Sequence, residues 1–164
     1  MLRGSMIDST VVARLKKAAE IVRIGKIDPP AGGGDLVAGV DLGTADVVFL
    51  VLDMEGDPVC GYLEWSEVVR DGVVIDFVGA RRILRGMVDK AESALGRKIE
   101  SCSTGFPPGT DSDLSVNVVR DVGLRIDSVL DEPTAAALAL GISDGIVVDI
   151  GGGTTGISVV QNAR

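Results

Sequence analysis

One four-residue pattern occurs twice in this chain and constrains the fold more than any other feature. Val40-Asp41-Leu42-Gly43 returns as Val148-Asp149-Ile150-Gly151, with an apolar residue, Asp, an apolar residue and Gly in the same order. An alternating apolar segment follows each copy after a short turn, which is typical of a β-hairpin. The sequence therefore predicts two similar hairpins, each with an Asp as the penultimate residue of its first strand.

The glycines of the second copy also fit another pattern. Gly151, Gly153 and Gly156 have the G-x-G-x-x-G spacing of dinucleotide-binding folds, in which a helix follows the glycines and binds the pyrophosphate at its N-terminus. The segment 157–160 is instead β-branched and alternating, so a strand follows. We therefore interpret the glycines as a turn whose backbone N–H groups can approach an anionic ligand, because no Cβ blocks them.

The segment between the two copies changes its apolar period several times. Three antiparallel strands followed by α, β, α, β and α is the element order of a ribonuclease-H-like domain. We predict an α/β lobe with a five-stranded mixed sheet and flanking helices, followed by the first hairpin of a truncated second lobe. The predicted strands are 36–42, 47–53, 58–65, 101–106, 128–131, 147–150 and 157–160, and the predicted helices begin at Asp76 or Gly79, at 111 and at 133 and end at 95, 121 and 140.

The N-terminal segment is predicted to be a separate element. The run 8–10 offers an N-cap for an amphipathic helix that Gly25 ends, and a linker rich in Pro and Gly follows at 27–34. We expect the linker to detach this helix from the lobe, with packing as its main role and targeting to a protein shell as the alternative. Residues 1–5 resemble a leader or cloning remnant. The predicted domains are 1–34 for the helix and linker, 35–145 for the lobe and 146–164 for the last hairpin.

Charge and composition exclude several classes of function. The 164 residues carry a net charge of −8, so no long-range field attracts nucleic acid or anionic lipid. Histidine is absent, which removes imidazole bases and His zinc ligands, and Cys60 and Cys102 lack the spacing of a metal or redox site. Isolated cysteines, and apolar runs too short to span a bilayer, favour a cytoplasmic protein. An anionic ligand would therefore need a local site.

Three segments resemble, in order, the phosphate-1, connect-1 and phosphate-2 motifs of the superfamily of actin, sugar kinases and DnaK-type chaperones. They are V-D-L-G-T at 40–44, D-E-P-T-A-A-A at 131–137 and V-D-I-G-G-G-T-T at 148–155. The segment 69–77, with no inserted subdomain, is most similar to the chaperone-like ethanolamine-utilisation members. Rod-shape filament proteins share its D-G-V-x-x-D-F pattern and are the nearest alternative. The lobe is therefore expected to be an actin-like ATPase lobe.

The resemblance implies roles for the residues of these motifs. Asp41 and Asp149 would hold Mg²⁺ through water, and Glu132 would orient or deprotonate the water that attacks the γ-phosphate of ATP. Without the flanking motifs, Glu132 would be interpreted as a carboxylate that complements the dipole of the helix after it. The residues that would line the phosphates of ATP or ADP are Gly43 and Thr44 in the first lobe and Gly151, Gly152, Gly153, Thr154 and Thr155 in the second.

Two departures from the chaperone pattern bear on activity. Asp46 places a negative charge near the phosphates where a chaperone has a neutral polar residue, and no residue aligns with the catalytic Lys of DnaK-type chaperones. We therefore expect weak nucleotide binding and slow hydrolysis. Since the second lobe stops after its first hairpin, we expect this chain to hold at most half of a nucleotide site and to be inactive as an ATPase. We also expect the unpaired hairpin 147–160 to form a homodimer.

The predicted function is ATP binding by a chaperone-like protein of ethanolamine utilisation, which would act on client proteins of that pathway or its bacterial microcompartment. Two alternatives stay open. One is a filament-forming cytoskeletal or scaffold protein whose assembly ATP controls. The other is a ribonuclease-H-like nuclease with Asp41, Glu132 and Asp149 as metal ligands, against which the acidic composition and the glycine-rich turns argue.

Overall fold

The computed structural model describes residues 7–25, 27–28 and 34–161, so the predicted leader and most of the predicted linker lie outside the described residues. The elements of the described part are, in chain order, α1 (Ser9–Ile24), β1 (Leu36–Leu42), β2 (Asp46–Asp53), β3 (Pro58–Trp65), β4 (Val69–Arg70), β5 (Val73–Val74), α2 (Phe77–Leu95), β6 (Ser101–Phe106), α3 (Asp113–Asp121), β7 (Arg125–Asp131), α4 (Glu132–Leu140), β8 (Gly145–Ile150) and β9 (Thr155–Val160).

Five strands form a mixed sheet in the order β3-β2-β1-β6-β7. β2 lies antiparallel between β1 and β3, whereas β1, β6 and β7 run parallel, with Ala38 opposite Cys102 and Ser101 opposite Arg125. The predicted α/β class and five-stranded mixed sheet are confirmed. Because the carboxyl ends of parallel strands meet at one edge of a sheet, the residues that end β1 and follow β7 are brought together there.

The core lies between this sheet and the helices α2 and α3. Alternate residues of β1 and β2 face it, so Val40 and Phe49 are buried while their chain neighbours are less so. From α2, Leu84 and Met87 pack against them, and the helix begins directly after Asp76, whose carboxylate caps it. The apolar periods of β1, β2 and α2 therefore agree with the faces that these elements bury.

β1, β3 and β6 have the predicted boundaries, and the other element boundaries differ from the predicted ones by at most three residues. The largest difference is in β7, which begins at Arg125 rather than 128. The last two strands, β8 and β9, form the predicted hairpin as a separate two-stranded sheet. The domain boundaries stay predictions. Within the described part of the chain, no helix is both long and apolar enough to cross a membrane.

One small hairpin, β4–β5, was outside the predicted elements. Its two-residue strands are connected by Asp71 and Gly72, which both have positive φ, 50° and 75°, as a type I′ turn requires. A Cβ on Gly72 would lie 2.8 Å from Pro107 Cγ, so the absent side chain lets the turn pack against the loop after β6. An Asp-Gly pair is a hairpin signal, but strands as short as 69–70 and 73–74 fall below the length at which alternation can be seen.

The N-terminal helix α1 packs on the sheet instead of being detached from it. Asp8 caps the helix and Gly25 ends it, as expected. Ile21 is 1% exposed, and Arg14 Nε lies 2.7 Å from Asp57 Oδ1 in the turn before β3. The expected separation from the lobe is therefore wrong for the described residues, whereas the packing role is what the structure shows.

The contact between α1 and the sheet predicts a sharp effect of Gly61→Ala in β3. The new Cβ would lie 2.9 Å from Val22 Cγ1, 3.0 Å from Leu50 Cδ1 and 3.2 Å from the backbone oxygen of Phe49. Overpacking of this kind costs about 1–3 kcal/mol, so we expect the free energy of unfolding, measured in urea, to fall by that amount. Gly86→Ala in α2 is the control, because nothing lies within 4 Å of its Cβ and a helical Ala is favoured. Equal stability of the two variants would contradict this description of α1.

Candidate functional site

A cleft of about 630 Å³ opens at the edge of the sheet where the parallel strands end, and the β8–β9 hairpin forms its opposite wall. Its volume is in the range of small-molecule sites. Two of the predicted site residues, Gly153 and Thr155, are outside its lining. The predicted residues that line it are Asp41, Gly43, Thr44, Glu132, Asp149, Gly151, Gly152 and Thr154.

The sequence repeat is also a structural repeat. In the first turn the N–H of Gly43 donates to the carbonyl oxygen of Asp46 at 2.9 Å, and in the second the N–H of Gly151 donates to the carbonyl oxygen of Thr154 at 2.9 Å. In each turn two residues thus lie between the hydrogen-bonded pair, and the repeated Asp stands two positions before the Gly that donates the bond. The predicted pair of similar hairpins is present.

The two turns face each other directly across the cleft. A Cβ on Gly153 would lie 2.6 Å from Thr44 Cγ2, and a Cβ on Gly152 would lie 2.9 Å from the Cβ of Ala45. These approaches are closer than real Cβ atoms allow, so the glycines are needed for contact between the turns. Gly153 therefore lies against Thr44 itself, which explains its absence from the open surface of the cleft.

The second hairpin is attached to the lobe at the N-terminus of α4. Asp131 Oδ1 accepts hydrogen bonds from Thr134 N–H at 3.0 Å and from Ser158 Oγ at 2.8 Å. A Cβ on Gly156 would lie 2.8 Å from Pro133 Cγ, so this glycine provides the close approach of β9 to α4. The third glycine of the G-x-G-x-x-G spacing is thus a packing position within a strand.

Glu132 is the first residue of α4 and projects into the cleft beside the two Asp residues of the repeat. Burial raises its pKa to about 7, together with the charges of Asp41 and Asp149 and a hydrogen bond shared with Asp149. Burial also raises the pKa of Asp41 to about 6, with further contributions from Asp46 and Asp149. Among the described residues that line the cleft there is no Lys or Arg. The described lining therefore offers these carboxylates no positive partner.

The arrangement is compatible with a cation held partly by water and ligand rather than by protein alone. No group of three or more Asp, Glu, Cys or His among the described residues is arranged to hold a metal ion. Mg²⁺ commonly keeps several waters and is bound through one or two carboxylates plus phosphate oxygens, which fits Asp41 and Asp149. This finding gives no support to the nuclease alternative, which needs direct ligation by three carboxylates.

Sequence reasoning missed the contribution of β6 to the floor of the cleft. Ser103, Thr104 and Gly105 line it, and the Thr104 hydroxyl is buried without a hydrogen-bond partner among the described residues. A Cβ on Gly105 would lie 3.4 Å from Glu132 Cγ, so β6 and the start of α4 are in van der Waals reach of each other at this position. No local signal marks these residues, since only the parallel pairing of β6 with β1 and β7 brings them here.

A family model described as Hsp70 protein matches residues 77–164, which include α2, β6, Glu132 and the whole second hairpin. This chain belongs to the Hsp70 family. The expected actin-like superfamily is therefore confirmed.

The relatives at high identity are ethanolamine utilization proteins named EutJ. The EutJ of Escherichia coli (strain K12) is 50% identical over 136 residues, which are 83% of this chain and 49% of that protein. The EutJ of Salmonella typhimurium is 47% identical over 151 residues, 92% of this chain and 53% of that protein. This Hsp70-family chain thus spans about half the length of the curated relatives it matches.

Solved structures agree with this assignment. The crystal structure of EutJ from Carboxydothermus hydrogenoformans matches with a TM-score of 0.81 and 44% identity, over 93% of this chain and 57% of that one. MreB5 of Spiroplasma citri, solved bound to ADP, matches with a TM-score of 0.57 over 79% of this chain and 49% of that one. At 19% identity, the second match shows a shared fold alone.

The crowded carboxylates predict that Glu132→Gln stabilises this Hsp70-family chain above neutral pH. A carboxyl whose pKa rises from 4.5 to about 7 on folding costs stability increasingly as pH passes from the lower to the higher value. After allowance for solvent screening we expect a gain on the order of 1 kcal/mol at pH 8, or roughly 2–4 °C in Tm, and no gain at pH 4. Glu20→Gln on the exposed side of α1 is the control. A lower Tm for Glu132→Gln than for the unchanged chain at pH 8 would refute the electrostatic description.

Proposed function

We propose that the two turns of this chain form the phosphate-binding part of a site for ATP and ADP with Mg²⁺, in a chaperone-like protein of ethanolamine utilisation. The observation that carries the proposal is the pair of identically closed turns, which face each other across a cleft at the ends of the parallel strands. The shared fold with MreB5 structures that contain ADP and AMPPNP supports a nucleotide as the ligand. The pathway rests on the names of the EutJ relatives.

The proposed phosphate contacts come from the backbone and hydroxyl groups of both turns. The N–H groups of Gly43 and Gly151 already donate within their turns, so the next amides, those of Thr44 and Gly152, are the proposed donors to phosphate oxygens. The Thr44 and Thr154 hydroxyls line the same cleft and add further donors. Gly153 contributes by letting the turns approach, and we propose that Thr155 contributes at the edge of the second turn.

Asp41 and Asp149 are the proposed residues that hold Mg²⁺ through water. When bound there, the ion would neutralise the charge on the phosphates and polarise the γ-phosphoryl group. Glu132 suits the task of orienting and deprotonating a water, because a base with a pKa near 7 can both accept and return a proton at neutral pH. With no Lys or Arg among the described residues that line the cleft, we propose that hydrolysis is slow.

We propose that the full protein acts in the cytoplasm on client proteins of ethanolamine utilisation, at or near the bacterial microcompartment. In this proposal α1 is a packing element of the lobe, because Ile21 and Arg14 tie it to the sheet.

Calorimetric titration with Mg-ATP and Mg-ADP tests nucleotide binding directly. We expect weak or no binding by the 164-residue chain, because it spans about half of its relatives, and clear binding by a chimera in which the unmatched part of a EutJ relative follows residue 164. Asp149→Asn in the chimera is expected to weaken binding by about tenfold or more, because it removes one proposed cation ligand. Asp89→Asn on the outer surface of α2 is the charge-matched control.

The result that would contradict the proposal is the absence of binding by both proteins when circular dichroism shows that they are folded. A scaffold role that does not depend on a nucleotide would then replace nucleotide binding. Release of inorganic phosphate, measured on the same chimera, separates slow hydrolysis from binding alone.

We also propose that the hairpin β8–β9 forms a homodimer of this chain. Its outer face is a contiguous apolar strip, and each of its strands pairs with no other strand of the described chain. Exposed strand edges next to apolar surface favour association. The strip consists of Ile146, Val148, Ile150, Ile157 and Val159, which are between 52% and 78% exposed.

Light scattering after size-exclusion chromatography tests this dimer. We expect a concentration-dependent dimer of the 164-residue chain and a monomer for Ile157→Lys, because the charge would be buried in the apolar strip. Val78→Lys, at an equally exposed apolar position on α2, should stay dimeric. A monomer of the unchanged chain at high concentration would rule the dimer out.

A further inference from the structure

Asp46 holds a fixed position beside the first turn. It is the first residue of β2, its carbonyl oxygen closes the turn by accepting the Gly43 N–H, and it lies opposite Trp65 in the register with β3. A Cβ on Gly43 would lie 3.5 Å from Asp46 Oδ1 and 3.9 Å from Asp41 Oδ1. The two carboxylates therefore flank the glycine of the turn, one on the strand that enters it and one on the strand that leaves it.

The charge of Asp46 acts inside the cleft. Asp46 belongs to the lining together with Asp41, Glu132 and Asp149, and the described lining contains no Lys or Arg that would offset these charges. Because Asp46 Oδ1 and Asp41 Oδ1 both lie within 4 Å of the Cβ position of Gly43, the charge of Asp46 acts beside the proposed cation ligand. In a cleft, protein walls replace part of the water, so such interactions are screened less than on an open surface.

The same charge affects two forms of one ligand to different extents. A phosphate without a cation that approaches the Thr44 amide meets the repulsion of Asp46 as well as that of Asp41. A phosphate that carries a divalent cation brings positive charge to the same place, and the attraction between Asp46 and the cation offsets the repulsion of the phosphate. A neutral side chain at this position would distinguish the two forms less.

We propose that Asp46 is a specificity-determining residue that excludes metal-free nucleotide from the cleft and admits the cation complex. The inference rests on the proposed function, in which a nucleotide is the ligand, and it adds the residue that couples nucleotide binding to the cation. Asp46 needs no direct bond to the ion for this role, since the effect is electrostatic.

The test compares Kd values for ADP in EDTA and in excess Mg²⁺, measured by calorimetry on the chimera described above. We expect Asp46→Asn to tighten metal-free ADP by about tenfold and to leave Mg-ADP unchanged or weaker, so that the ratio of the two Kd values falls about tenfold. Asp46→Glu keeps the charge and is expected to keep the ratio. Asp89→Asn removes one negative charge, as Asp46→Asn does, and is expected to change neither Kd.

Each outcome decides the inference. If Asp46→Asn changes both Kd values by the same factor, or neither, Asp46 does not discriminate, although the proposed function stands as long as Mg-ADP binds. If Mg-ADP binds to none of the folded variants, the proposed function and this inference fail together. If metal-free ADP binds to Asp46→Asn but not to the unchanged chimera, while both bind Mg-ADP, the result supports the inference. Asp46→Ser, which keeps the backbone hydrogen bond of the turn, replaces Asp46→Asn if circular dichroism shows that the latter is unfolded.

Discussion

The site depends on the parallel pairing of β1, β6 and β7. This pairing places the ends of three strands at one edge of the sheet, so Asp41 near the end of β1 and Glu132 directly after β7 come within electrostatic reach of each other. Parallel neighbours require a crossover connection, and α2 and α3 provide these connections while they cover the core face. The helices that stabilise the sheet therefore leave its carboxyl edge open to a ligand.

The carboxylates at this edge oppose the stability of the lobe. Burial and mutual repulsion raise the pKa of Asp41 to about 6 and that of Glu132 to about 7, so ionising both in the folded state costs free energy. Burial of the apolar core offsets this cost in the free energy of folding, but it does not reduce the repulsion between the carboxylates in the cleft. Groups that repel one another and lack a positive partner are expected where the bound state supplies the positive charge. The electrostatics of the cleft thus agree with a cation that arrives with its ligand.

Much of the fold and of the site could be predicted from local patterns, and two of the failures share one cause. The repeated Asp and Gly, the strands of the meander and the capped helix α2 follow from periods and caps that lie within a few residues of each other. The docking of α1 depends instead on the contact between Val22 and Gly61, far apart in the chain, and the linker composition between them suggested separation. Thr104 in the floor of the cleft was missed for the same reason, because sheet order alone places it there.

Asp131 and Glu132, two acids adjacent in the chain at the start of α4, have pKa values that are shifted in opposite directions. Burial acts to raise the pKa of Asp131, but hydrogen bonds from Thr134 and Ser158 outweigh it and lower the pKa, so this carboxylate stays ionised as a helix cap and a link to β9. Glu132 lies in the cleft among other acids, and its pKa rises to about 7. Two carboxylates adjacent in the chain thus have pKa values that their environments shift in opposite directions. Because Ser158 belongs to the second hairpin, the bond that fixes Asp131 also fixes the position of Glu132 relative to both turns.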